Sequence, residues 1–392
     1  MKGTGLRRAV LLGLAMSLTA GTAGFAEDIN HSLIITDTDI TYPVDGGLTN
    51  EDYTITADEG HPTIELGNQG HDAVITTTGN ITLNSGNGYA IAPGTTSSGL
   101  AQDAQGSVTL NGNDISIRGS GISLDYANNN GYGNDERAVY ADINASGNFV
   151  IGKEGEGNTA TTGLFVDTYA GTIDVDAGKG ILIDIEGDTL IGVNESGHIT
   201  VKANEDIILN ATSSNTDIVM GYIENRNNQY SGYSINDSFI LNGVNGIRNS
   251  EVTIQTEGNV DFNAQETNKN NLMNVGIFGV GSRKGNNGSP WPNPPVSEDN
   301  PENAPYLDED GYVASQDNIT KISGNKLDFL VSNIYGIATG ILAQGSNKVT
   351  IDLQSTHGIN FIAVSEQGDG AIGLDTADGN IKLTSTVGSN FI

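Results

Sequence analysis

Glu251-Val252-Thr253-Ile254-Gln255-Thr256-Glu257-Gly258-Asn259-Val260-Asp261-Phe262 is the stretch that decides the fold. Val252 and Ile254 alternate with polar residues, a Gly-Asn pair follows, and Val260 and Phe262 alternate again. Alternation with a period of two puts one face of a short strand in a core and the other in water. The inward pairs sit eight residues apart, with a turn between them too short for a loop. Two short strands therefore meet at a sharp corner.

The same unit recurs along the chain. Ala73 and Ile75 precede Ile81 and Leu83; Ile173 and Val175 precede Ile181 and Ile183. Ile199 and Val201 precede Ile207 and Leu209, and Ile351 and Leu353 precede Ile359 and Phe361. The intervening residues are mostly Thr, Asp, Lys, Asn and Gln. The corner reads Gly79-Asn80-Ile81, Gly258-Asn259-Val260 and Gly379-Asn380-Ile381, with Gly147-Asn148-Phe149 similar. Gly and Asn both tolerate positive φ, so they predict a sharp bend there. A third short element, such as Tyr89-Ala90-Ile91, Gly163-Leu164-Phe165, Gly336-Ile337 or Gly370-Ala371-Ile372, completes a triangular coil.

Ile173 to Ile199 is 26 residues, Ile319 to Val349 is 30, and Val349 to Ile381 is 32. Val252 follows Ile199 by 53 residues, which reads as two periods. Three short strands per coil of this length describe an all-β fold, a right-handed parallel β-helix or solenoid. About a dozen coils stacked at about 4.8 Å make a rod of roughly 60 Å. A β-sandwich is the competing architecture, but it requires antiparallel hairpins every 8–12 residues or so.

Composition agrees with frequent turning. The chain of 392 residues has 53 Gly and, by count, 44 Asn, residues that weaken helices and favour turns. It holds 48 acidic against 17 basic residues, a formal charge of -31. Such a surface repels nucleic-acid phosphates and anionic membranes. The absence of Cys excludes disulfides, thiolate metal sites and Cys nucleophiles.

Residues 1–26 have the layout of a secretory signal. Lys2, Arg7 and Arg8 precede an apolar run from Ala9 to about Ala20, and Gly24 and Ala26 put small residues at the peptidase recognition positions before Glu27. Its removal takes away three positive charges and leaves 14 basic against 48 acidic residues, about -34. The apolar run is too short to span a bilayer, and no later one is long enough for a membrane helix.

Two segments break the rhythm. Residues 27–70 read as an N-terminal cap and the first coils, and 71–392 as the β-helix proper. Within the latter, 282–316 reads as a Pro-rich acidic loop insertion. Six of the nine prolines fall between Pro290 and Pro305, around the single Trp291, and a central strand cannot hold them. Trp291, Tyr306 and Tyr312 are candidate binding residues on that insertion; a plain solvated loop is the other reading.

Catalytic patterns are weak. His31, His61 and His71 lie in no motif, while Gly197-His198-Ile199 and His357-Gly358-Ile359 read as corners. Ser289 lies between Gly288 and Pro290 without a partner. Asp308 and Asp310 could offer oxygen ligands to calcium, but the spacing of a calcium loop is missing. No metal, cofactor or catalytic residue is therefore assigned. Asn-x-Ser/Thr triplets, those at Asn80, Asn210, Asn236 and Asn318 among them, read as chance in an Asn-rich chain.

A Sec-type leader, no Cys and degenerate Gly-Asn-Ile-Thr-Leu coils over nearly all of 27–392 resemble the passenger region of Gram-negative autotransporters, the type V secretion adhesins. The resemblance is architectural, without signature residues. It implies export by Sec to the cell surface, the outer membrane or the medium. The partner would be a host cell, a glycan or another copy, and a full-length form could be tethered to an outer-membrane barrel. The sequence departs from the family after Gly379-Asn380-Ile381-Lys382-Leu383, where it stops without the alternating strands of a barrel. A truncated gene model, a barrel encoded elsewhere and a diverged secreted relative all fit that ending. The expected function is a non-enzymatic adhesive, aggregating or envelope-matrix rod. The alternative is a β-helical polysaccharide lyase or glycoside hydrolase acting on a neutral glycan.

Overall fold

A computed structural model describes residues 26–34, 40–42, 50–59, 61–66, 72–93, 106–125, 140–152, 160–187, 189–213, 218–223, 250–267, 275–280, 318–334, 337–344, 349–366, 370–377, 380–386 and 390–391. These residues form an all-β parallel β-helix with no helical segment among them. Every strand pairing is parallel, and the pairings resolve into three ladders. The first starts at strand Ala26–Ile29 and runs through Asp52–Thr56 up to Asn390–Phe391, eleven strands in all. The second starts at Leu33–Ile34 and ends at Gly370–Ala377. The third starts at Ile40–Tyr42 and ends at Asn380–Ser385. The chain visits them in that order, once per coil. Ten steps of about 4.8 Å give the first ladder a length of about 48 Å, shorter than the sequence predicts because the connections consume residues.

The inward columns are the pairs read from the sequence. Ile173, Ile199 and Val252 stack in the third ladder, and Ile181, Ile207 and Val260 in the first. All six are buried, and they belong to one continuous core. A single coil cannot hide these side chains; each coil's strands dry the next one's. Burying an Ile, Leu or Val completely contributes about 1.5–3 kcal/mol against the entropy of ordering it. Further along, the first ladder's column changes from aliphatic to aromatic. Phe262, Phe329 and Phe361 follow one another, with ring centroids 6.2 Å and then 4.4 Å apart.

Four sequence expectations are corrected. Val252 lies directly on Ile199, so the 53 residues between them are one coil and not two. The excess is the connection 224–249 between strands Ile218–Ile223 and Ser250–Thr256. In the third ladder Thr320, not Ile319, occupies the inward column between Val252 and Ile351, because the strand enters one residue out of the expected parity. Its hydroxyl is buried without a hydrogen-bond partner. Asn380 and Ile381 open a strand of the third ladder, whereas Ile81 opens one of the first, so the two Gly-Asn-Ile triplets are not equivalent. The outward face is also not uniformly polar: Val150, Leu182 and Ile208 stack on the outer side of the first ladder and form a second buried cluster.

The corner between the third and first ladders is short at nearly every coil, and its chemistry explains the Gly and Asn content. Asn80 donates its backbone N–H to Asp52 Oδ1 at 2.7 Å, Asp114 to Asn80 Oδ1 at 3.1 Å, Asn148 to Asp114 Oδ1 at 2.7 Å, and Gly180 to Asn148 Oδ1 at 3.2 Å. Asn259 repeats the contact on Asp206 Oδ1 at 2.7 Å. Each Asx side chain thus satisfies the corner N–H of the coil above, a donor that no strand ladder reaches. The glycines serve close approach. A Cβ on Gly79, Gly147 or Gly258 would overlap the Glu51 carbonyl, the Asp114 carboxylate or the Glu205 backbone of the coil below. None of these three has positive φ, whereas Gly358 at the equivalent corner does, at 117°. Positive φ is therefore not the general reason for Gly here.

Thr77, Thr256 and Ser355 brace the same corner. Their hydroxyls accept the N–H of Gly79, Gly258 and His357 and donate to the carbonyls of Glu51, Glu205 and Asn325 in the coil below.

Candidate functional site

Among the described residues, those singled out in the sequence do not converge on one site. Trp291, Tyr306 and Tyr312 lie outside the described residues, as do Gly24, His71, Ser289, Asp308, Asp310 and Asn236. Ala26 opens the first strand and pairs with Asp52. His198 is not at a corner of the Gly79-Asn80-Ile81 kind: it lies within strand Thr189–Ala203, exposed, just past the bend from the second ladder to the third, between Thr172 and Glu251. His357 does sit at a corner, against Asn325 Oδ1 and 3.0 Å from Thr356 Oγ1. His61 lies 2.6 Å from Glu65 Oε2. The hydrogen bond to Glu65, and then its negative charge, raise the His61 pKa above the usual imidazole value. Asn80 uses its side-chain oxygen in the corner ladder. Among the described residues no three His, Asp or Glu side chains are placed to hold a metal ion.

The outer face of the third ladder is the surface with the most chemistry. Its middle outward row runs Val74, Thr109, Asp142, Asp174, Thr200, Thr253, Lys321, Asp352, Lys382. The neighbouring row carries Thr76, Asn111, Asn144, Asp176 and Lys202. Asn111 donates to Thr76 Oγ1 at 3.1 Å and Asn144 to Asn111 Oδ1 at 3.0 Å, so part of the row is a rung-to-rung amide ladder. Lys321 and Lys382 bridge to Glu251 and Asp352 at 2.9 and 3.2 Å. Both lysines are largely exposed, so these pairs add little stability.

Asp142, Asp174 and Asp176 make the acidic part of this face, with Asp142 and Asp174 direct neighbours on adjacent strands. Burial of the Asp174 carboxyl raises its pKa; Lys202 opposes the shift, and Asp142 and Asp176 add to it. The sign for stability follows from linkage. A folded-state carboxyl with a raised pKa holds its proton longer than the unfolded one, so stability falls as pH rises from the unfolded value through the raised one. Asp174→Asn is expected to unfold at higher urea than the parent at about pH 7, and the gain is expected to vanish at about pH 3. Chemically, the face offers hydroxyls, amides and carboxylates in rows, a surface suited to hydrogen-bonding a polar ligand.

The sequence missed this face as a unit because register alone brings Asp142, Asp174 and Lys202 together. The available signal was the outward parity of each strand. No protein-family model, curated protein or solved structure matches the chain.

Proposed function

We propose that the protein is a non-enzymatic, exported β-helical rod that acts in adhesion or aggregation, in the manner of the autotransporter passengers it resembles. The observation that carries this reading is the uninterrupted stack of three parallel ladders around one core. Such a stack is a stiff spacer whose outer rows are free to present contacts. The acidic coat restricts the partners to those that tolerate a strong negative field. The leader layout at residues 1–26 supports export, and a barrel reading frame following Ile392 would support surface tethering.

The test is bead adhesion. Beads coated with the full chain are expected to aggregate or to adhere to epithelial cells about tenfold more than bare beads, since many weak contacts add on a multivalent surface. The glycoside hydrolase or lyase reading draws on the neighbouring Asp142 and Asp174, because paired carboxylates are the equipment of sugar hydrolysis. Release of new reducing ends from a neutral polysaccharide, lost in Asp174→Asn, would replace the adhesive reading with that one.

A further inference from the structure

The outer faces of the ladders differ in openness. On the first ladder, Val150, Leu182 and Ile208 are buried on the outside. On the third, three outward rows stay open. From strand Tyr140–Ala145 to strand Val349–Ser355 their side chains are exposed or half-buried, and the residues between them are buried. Beside the middle row already described, one flanking row runs Tyr140, Thr172, His198, Glu251, Ile319, Thr350. The other continues past Lys202 as Gln255, Ser323 and Gln354.

Charge on this face is divided along the rod. Asp142, Asp174 and Asp176 sit on strands Tyr140–Ala145 and Thr162–Ala177. Lys321 and Lys382 project from strands Asn318–Gly324 and Asn380–Ser385, toward the far end. Of the six Lys and Arg residues among those described, three, Lys202, Lys321 and Lys382, lie on this face. Asp174 and Lys321 are three strands apart, about 14 Å. A partner of uniform charge is repelled by one half of such a face.

We infer that this face is a self-association surface, on which a second copy of the chain docks with its rod axis reversed and Asp174 over Lys321. The inference rests on the aggregating reading and names its partner and contact. A two-fold axis parallel to the strands, between Thr200 and Thr253, keeps each row over itself and reverses the strand order. Asp174 then meets Lys321 of the other copy and His198 meets its Glu251, each pair occurring twice. Lys202 meets Gln255, and Asn144 meets Gln354. Asp142 meets one like charge, Asp352, which Lys382 already contacts at 3.2 Å. Rods docked with their axes in the same direction instead set Asp142 and Asp174 against themselves. The overlap, about 34 Å by 15 Å, buries roughly 1,000 Å² over both copies, the size of a weak, reversible contact. Rods of charge -31 repel one another at long range, but at about 0.15 M salt that field decays over about 8 Å and leaves the direct pairs.

The experiment is sedimentation velocity of the full chain in about 0.15 M salt at up to about 0.2 mM, the range in which a weak contact populates a dimer. The parent is expected to pass reversibly from monomer to dimer as its concentration rises. Asp174→Lys and Lys321→Asp each set like charges across the axis twice, and each is expected to weaken association about tenfold. Both changes in one chain restore opposite charges and are expected to return association to within about threefold of the parent. The parent unfolding midpoint checks that the variants fold. Where a reversal shifts it, Asp174→Asn or Lys321→Gln takes its place, with an expected weakening of about threefold. A parent that stays monomeric, single variants that associate like the parent, or a double variant no better than the singles overturns the inference. In those cases, bead adhesion to epithelial cells that persists leaves the adhesive reading standing on a foreign partner; its loss as well removes both.

Discussion

Phe329→Ala is expected to destabilise the protein by about 3–5 kcal/mol, the usual cost of deleting a fully buried aromatic side chain. Phe329 is 2% exposed and lies between Phe262 and Phe361 in the inward column of the first ladder. Its ring stacks on Phe361 at 4.4 Å with an interplanar angle of 20°, and meets Phe262 at 6.2 Å and 44°. Aromatic pairs of this kind add about 0.5–1.5 kcal/mol beyond the area they bury. The cavity opens between coils that touch only their neighbours, so the damage is expected to stay local. Hydrogen exchange and limited proteolysis should show strands Val260–Glu266, Leu327–Asn333 and Ile359–Ser365 opening first. The far coils should keep their protection. Phe329→Leu is expected to cost clearly less, because the column already accepts Leu83, Ile117, Ile183 and Leu209 at equivalent rungs. A loss of less than about 1 kcal/mol in urea unfolding of Phe329→Ala would show that the aromatic stack is not a core element.

Much of this column was legible in the sequence. Alternation identified the inward residues at Val252, Ile254, Val260 and Phe262 because each of these short strands has polar neighbours of the opposite parity. Parity fails where three apolar residues run together. In Ile181-Leu182-Ile183 and Ile207-Ile208-Leu209 the middle residue is also buried, on the outside of the ladder. Parity fails too at Ile319-Thr320, where either residue could face inward and only the register of the neighbouring coils selects Thr320.

Period arithmetic was the other weak point. It measures sequence distance, whereas stacking measures coils, and a connection such as 224–249 adds residues without adding a coil. The candidate surface was less legible still. Composition singled out the Pro-rich stretch with Trp291. Only the strand register brings Asp142 and Asp174 onto adjacent rungs of the third ladder's outer face. Similarly, Gly-Asn corners were visible as a motif, but their cause was not. A sequence cannot show that the Asn oxygen reaches up one coil, or that a Gly Cβ would strike the coil below.

That corner supplies the second large effect. Asp114→Ala is expected to cost about 2–4 kcal/mol, because it leaves two buried donors without an acceptor. Asp114 Oδ1 accepts both the backbone N–H of Asn148 at 2.7 Å and the Asn148 side-chain amide at 3.2 Å. Asn148 is 1% exposed, so water cannot take the place of the carboxylate. Leaving a buried donor unsatisfied costs about 1–3 kcal/mol, more than the net value of an ordinary hydrogen bond. The neighbouring bonds do not compensate. Asn148 Oδ1 already accepts from Gly180, and Asn80 Oδ1 already accepts the Asp114 N–H. Asp114→Asn keeps an oxygen at the same reach and matches the residue found at positions 80, 148 and 259 of the ladder. Its expected cost is about 1 kcal/mol or less, the difference between a charged and a neutral acceptor. Urea unfolding of the two variants beside the parent separates the explanations. If the Asx ladder carries the corner, Ala is far worse than Asn. If the corner is held only by its backbone bonds, such as Gly147 N–H to the Asn113 carbonyl at 2.8 Å, the two variants unfold together near the parent midpoint.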